Sequence, residues 1–186
     1  GTHNQGKFKE IAYLISKRYK KISPISLKID SPKETGKTFI SNSKLKVTFF
    51  SKFVDYPIIS DDSGLCINSL NNKPGIHSAR FAKKHGSFLK AMQFILKKLK
   101  KKRNRSATFV CSLSYKRPGH KIISVVGKIK GKISNKILGK KGFGYDPIFI
   151  PEKQKKTFGQ MLKLNKIQMD HRFIAYKKLK KKVKTL

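Results

Sequence analysis

The chain has 186 residues, with 45 Lys+Arg against 9 Asp+Glu, for a formal net charge of +36 at pH 7. That length suits one domain burying about 70% of its unfolded surface, and 38% apolar residues including 13 Phe supply a core. No apolar run approaches the ~18 residues of a transmembrane helix and GTHNQGK is no signal peptide, so a membrane span is excluded and a cytoplasmic place is expected.

Thr2 to Lys7 open the chain as a polar loop, and the apolar spacing of Phe8, Ile11, Ala12, Leu14, Ile15 and Tyr19 predicts a helix over 7–20. A helix N-terminus preceded by a Gly-containing loop, with Lys7 as a point charge, can cradle phosphate. Ile22 to Ile29 read as a strand. Thr38 to Phe53 read as a helix turning Phe39, Ile40, Leu45, Phe49 and Phe53 inward. Ile58 and Ile59 then suit a short buried strand ending on Ser60-Asp61-Asp62-Ser63-Gly64. Adjacent Asp residues on an extended segment face opposite ways and should have different tasks. One can hold a cation or a water while its neighbour caps the following turn through backbone N–H groups.

Ser87 is a plausible N-cap for a helix reaching Lys102, built on Phe88, Leu89, Met92, Phe94, Ile95 and Leu99. Basic runs at Lys97 to Arg105 and Lys177 to Lys184 invite a nucleic-acid reading. With six Arg in the whole chain and no aromatics interleaved in either run, nucleic-acid binding is expected to be at most non-specific. The Lys, Ile and Asn bias reads as compositional drift with solvated surfaces; steering of a polyanion and weak adventitious nucleic-acid binding are the other readings. Ala107 to Tyr115 and Lys121 to Ile133 predict two strands joined by a turn at Arg117-Pro118-Gly119-His120, and a last helix runs from about Asp170 to Val183. Cys66 and Cys111 lie apart in strand-like surroundings, as reduced, inert thiols do. Helices alternating with strands, interrupted by a hairpin, predict an α/β fold with a mixed central sheet flanked by helices.

Four blocks carry a family resemblance, in order: THNQGKFKE at the start, DDSGL with PGIHSARF ten residues on, GFGYDPIF at Gly142 to Phe149, and DHR at Asp170 to Arg172 preceded by Lys166. Together they resemble the Ham1/RdgB-like inosine triphosphate pyrophosphatases, which hydrolyse ITP, dITP and XTP to the monophosphate and pyrophosphate. The resemblance implies a single bilobed ITPase-like domain over 1–186. It also implies a hydrophobic strand ahead of Thr2, so six to eight residues of strand are expected to be missing there. A Mg²⁺-dependent, homodimeric enzyme is implied as well, with a purine nucleoside triphosphate as substrate.

Residue by residue, the resemblance makes Asp62 the general base and a Mg²⁺ ligand. Thr2, His3, Asn4, Gln5, Gly6, Lys7 and Lys46 fall to the triphosphate, and Ser63 and Arg80 to further substrate contacts. Phe143, Gly144, Tyr145 and Asp146 would meet the base, with Phe143 or Tyr145 as the stacking face. Lys166, His171 and Arg172 would supply donors for the 6-keto oxygen. The chain departs from the family where an acidic metal-assisting residue aligns with Lys33, leaving Glu34 as the nearby carboxylate for the metal. It departs again at Ser41, another position where the family is usually acidic. A related pyrophosphatase for other modified nucleotides, or a basic nucleic-acid-binding protein, is the alternative.

Overall fold

The computed structural model describes residues 1–183, so Lys184 of the second basic run lies outside the described residues. The chain forms two compact units. Of the described residues, the first contains Gly1–Asp62, Cys111–Gly127 and 171–183; the second contains Ser63–Val110 and Lys128–Asp170.

Five strands form a mixed sheet in the order β2-β1-β3-β4-β5, where β1 is Ile58–Ile67, β2 Lys73–Pro74, β3 Ser106–Lys116, β4 Ile123–Ile133 and β5 Phe149–Pro151. The pairs β1/β2 and β4/β5 are antiparallel, with Cys66 opposite Pro74 and Lys132 opposite Ile150. The hairpin between β3 and β4 turns as predicted, the His120 N–H donating to Arg117 O at 3.1 Å with Gly119 at φ +70.

In the first unit, helix α1 is Gln5–Leu14, shorter than the periodicity predicted. The predicted strand Ile22–Ile29 does not form. Pro24, at φ −56 and ψ −32, starts a short 3₁₀ turn over Ile25–Leu27 that ends on left-handed Lys28. Pro fixes a turn-compatible φ and has no N–H to give a ladder, so this apolar run is a turn.

Helix α2, Phe39–Phe50, is capped by Thr38, whose hydroxyl accepts from the Ser41 N–H while the Ser41 hydroxyl accepts from the Thr38 N–H. Ser41 thus fills the N3 capping-box position that a Glu commonly holds. The buried face of α2 is Asn42, Ser43, Lys46, Val47 and Phe50; of the residues expected inward, Phe39, Leu45 and Phe49 are half-buried, while Ile40 and Phe53 are exposed. Polar side chains are buried here because each has a partner. Ser43 Oγ, for example, lies 2.8 Å from the hydroxyls of both Ser112 and Ser114. The last helix, α6, is His171–Lys182; its Ala175, Tyr176 and Leu179 join Ile11, Leu113 and Val125 in one apolar cluster.

In the second unit, helices α3 (Ser78–Lys84) and α4 (Phe88–Leu99) follow β2. Ser87 caps α4 by accepting from the Lys90 N–H, as predicted. Ala91, Met92, Ile95 and Leu99 face inward beside Leu65, Phe149 and Phe158, whereas Leu89 and Phe94 are exposed. Burying a side chain of the size of Met, Ile or Leu is worth about 1.5–3 kcal/mol, so this stripe fixes α4 firmly. Cys66 and Cys111 are both free thiols. Among the described residues no helix is long and apolar enough to cross a membrane.

Candidate active site

Strand β1 does not stop at Ser60. It continues to Ile67, so Asp61 and Asp62 sit in mid-strand, both buried. Each has its own partner in the first unit, as alternation requires. Asp61 takes Lys7, whose ammonium is 3.0 Å from its Oδ2, and so anchors the opening loop rather than a turn. Burial alone would push the Asp61 carboxyl up, but the charges of Lys7, Lys46 and Arg172 prevail and hold it well below the usual carboxylate range. Asp62 accepts from the Asn42 side-chain amide at 3.0 Å. Here burial dominates, and although Lys46 and Lys7 pull the other way, the carboxyl is pushed up to about 6.

The opening loop is ordered by its own polar atoms. Asn4 caps α1, its Oδ1 accepting from the Lys7 N–H at 2.9 Å, and Thr2 Oγ1 accepts from the Asn4 N–H at 3.3 Å. His3 Nε2 meets Ile29 O at 2.8 Å, with its ring stacked on Phe50. Gln5 and Gly6 form the first turn of α1, which carries no acidic residue. A helix N-terminus cleared of carboxylates, beside Lys7, suits an anion.

Lys46, on α2, is buried and lies 2.9 Å from Glu34 Oε1. Burial opposes its charge, yet Asp61, Glu34 and Asp62 outweigh that and raise its pKa. Among the described residues no three His, Cys, Asp or Glu side chains converge on one point. Mg²⁺ needs only one or two carboxylates, completing its shell with water and phosphate oxygens. Glu34 is close enough that its charge raises the Asp62 pKa. Two hard oxygen donors repelling one another are a fitting seat for such a cation.

His171 and Arg172, the expected donors to the base, are both buried. Arg172 Nη1 lies 2.8 Å from Glu10 Oε2 on α1. The first turn of α6 lies so close to β4 that a Cβ on Gly127 would overlap His171 O and the Ala175 N–H.

The second unit holds the other motif blocks. Gly64 on β1 touches the segment after β2, where any side chain would strike Gly75 O. There Ser78 Oγ accepts from the Leu65 N–H at 2.9 Å and donates to Gly75 O at 2.7 Å. The Tyr145 hydroxyl donates to Ser78 O at 2.9 Å. These bonds join DDSGL, PGIHSARF and GFGYDPIF. Ser63, next to Asp62, is half-buried. Arg80 is exposed and reaches only Ile76 O, at 3.5 Å, so the structure does not bring it into the cluster.

Tyr145 is 3% exposed and edge-on to Phe88 at 5.2 Å, a core residue rather than a stacking face. Phe143 is the half-buried ring, followed by Gly144. Asp146 Oδ2 accepts from the Phe143 N–H at 2.8 Å and from the Lys166 ammonium at 2.6 Å. Lys166 lies on α5, Lys163–Ile167, not in a loop, with its ammonium 4.7 Å from the Phe143 ring centroid. The unit therefore presents one aromatic face beside a buried, carboxylate-held amine.

Sequence reasoning missed three residues: Asn42, Glu10 and Asp61 in its pairing role. Asn42 follows Ser41, where the chain departs from the family, and Glu10 closes the first block. Neither announces its partner, because the partners are 20 and 162 positions away.

A Ham1 family profile matches residues 1–182. The chain belongs to the Ham1 family. It is 38% identical to a dITP/XTP pyrophosphatase of Caulobacter vibrioides, over 96% of this chain and 93% of that protein. With the dITP/XTP pyrophosphatase of Bacillus subtilis it shares 37%, over 97% and 93%. Among solved structures, the Staphylococcus aureus Ham1 protein has a TM-score of 0.86 at 35% identity, with 99% of this chain and 96% of that one covered. A HAM1 protein from Coxiella burnetii has a TM-score of 0.88 at 29% identity, covering 100% and 97%.

Proposed function

We propose that this chain hydrolyses deaminated purine nucleoside triphosphates (ITP, dITP and XTP) to the monophosphate and pyrophosphate, as a homodimer in the cytoplasm. Family membership supports the activity, and Asp62 carries the chemistry. It is a buried carboxyl, held by Asn42 and pushed up to about 6. A general base works best with a pKa near the working pH.

Asp62 takes a proton from water as the water oxygen bonds to the α-phosphorus. The α–β anhydride bond breaks, and its bridging oxygen leaves with pyrophosphate. Lys7, Lys46 and the N–H groups opening α1 hold the polyphosphate, with Asp61 and Glu34 orienting the two ammonium groups. Asp62 and Glu34 would hold Mg²⁺, which when bound offsets the growing charge on the leaving pyrophosphate. Phe143 stacks on the purine. Lys166, oriented by Asp146, donates to a 6-keto oxygen, with His171 and Arg172 as further donors. A 6-amino group gives such donors no acceptor and is rejected.

The test is pyrophosphate release from ITP, dITP, XTP, GTP and ATP, with Mg²⁺ and with chelator. Fast release from the three deaminated nucleotides, abolished by chelator, is expected. Equal rates on ATP, or orthophosphate as the product, would overturn the reading.

A further inference from the structure

The second unit has a surface outside the nucleotide site that pairs aromatic rings with cations. Helices α3 and α4 bring together Phe81, His85 and Phe94. The His85 ring lies 4.5 Å from Phe81 and 4.5 Å from Phe94, and Phe81 meets Phe94 edge-on at 5.9 Å. The Lys98 ammonium sits 5.5 Å from the Phe94 centroid. Phe94 is 38% exposed, and Lys90, Lys97, Lys98 and Lys101 are exposed beside it at helical spacing. No Asp or Glu occurs anywhere between Ser63 and Tyr145.

We propose that this α3–α4 face binds single-stranded nucleic acid without sequence preference, bases stacking on His85 and Phe94 and phosphates pairing with Lys97, Lys98 and Lys101. Stacking on aromatics beside a basic track is the recurring physics of such sites. Two rival occupants fit less well. A membrane-binding helix needs its apolar face free to insert, and the apolar face of α4 is committed to the core through Ala91, Met92, Ile95 and Leu99. A second copy of the chain would oppose like charges with no carboxylate in the 63–145 segment to pair them.

The experiment uses the full chain and a fluorescein-labelled single-stranded RNA of about 15 nucleotides, followed by anisotropy between about 50 and 200 mM salt. Three proteins are compared: the unchanged chain, the His85→Ala/Phe94→Ala variant, and the Lys97→Gln/Lys98→Gln/Lys101→Gln variant. The aromatic variant is expected to lose about tenfold or more in affinity with an unchanged salt slope, since it removes stacking and no phosphate contact. The lysine variant is expected to flatten the slope by roughly 2, at about 0.7 per phosphate on a single strand. Pyrophosphate release should be unaffected in both, because none of these residues belongs to the nucleotide site. Three outcomes overturn the proposal. One is RNA affinity indifferent to the aromatic pair. Another is duplex DNA bound as tightly as the single strand. The third is a preference for phosphatidylglycerol vesicles that the same variants abolish. Loss of a dimer in the aromatic variant with RNA affinity intact would likewise assign the face to self-association.

Discussion

The side-chain amide of Asn42 donates to Asp62 at 3.0 Å, while the Asn42 oxygen accepts from the Gly36 N–H at 2.8 Å. One buried residue on α2 thus fixes both the base and the segment that carries Glu34. The amide can donate but cannot titrate, so it orients the carboxylate without neutralising it.

Replacing Asp62 with Asn is expected to keep the fold and to lower kcat by about 10²–10⁴, the usual worth of a general base. Steady-state rates on ITP check this. Turnover near that of the unchanged enzyme would falsify the assignment.

Asp62 also links stability to pH. Its folded pKa of about 6 lies above the ordinary value of 3.8. A carboxyl raised by folding contributes stability that is fully present below the unfolded pKa and lost as pH rises through about 6. In chelator, Asp62→Asn should therefore melt higher than the unchanged chain at pH 8, by about 3 kcal/mol in stability, at 1.36 kcal/mol per pKa unit. Near pH 4 the two should converge. Melting curves across pH 4–8 decide it.

The pair of Arg172 and Glu10 makes one classical test of base choice a stability test as well. Arg172→Ala leaves Glu10 buried without that partner, a change that costs about 3–5 kcal/mol for buried ion pairs. Below the variant's melting point, ITP hydrolysis should fall far more than ATP hydrolysis, narrowing the ratio of kcat/KM. Both activities falling together would mean that Arg172 serves the fold alone.

The exposed lysines of α6 are expected to act only at long range. Exchanging Lys177, Lys178, Lys180, Lys181 and Lys182 for Gln should leave kcat unchanged and lower kcat/KM modestly at low salt, through weaker steering of a polyanion. A collapse of kcat at every salt concentration would contradict this.

The sequence discloses the chemistry-bearing blocks because their residues are close in the chain and chemically unusual: DDSGL, the opening loop, GFGYDP and Lys166. What it conceals are the partners. Asp61 finds Lys7 and Arg172 finds Glu10 only once distant segments meet. On α2 the hydrophobic pattern places Ile40 and Phe53 inward although both are exposed, because it cannot foresee that Asn42, Ser43 and Lys46 are buried with partners. Ile22–Ile29 was misread because Pro24 outweighs the β-branched residues around it. The aromatic stack of Phe81, His85 and Phe94 spans a helix–helix turn that no periodicity registers.

The order in which the units are threaded bears on how the chain is made. The second unit has all its segments once Asp170 is synthesised, but the first begins at Gly1 and is completed only from His171 onward. Ile11, Leu113 and Val125 lack their partners Ala175, Tyr176 and Leu179 until those residues have been synthesised. At the usual 5–20 residues per second, the opening loop and α1 therefore wait roughly 8–35 seconds with Ile11 unsheltered, the period in which a nascent chain is most open to chaperones and to aggregation.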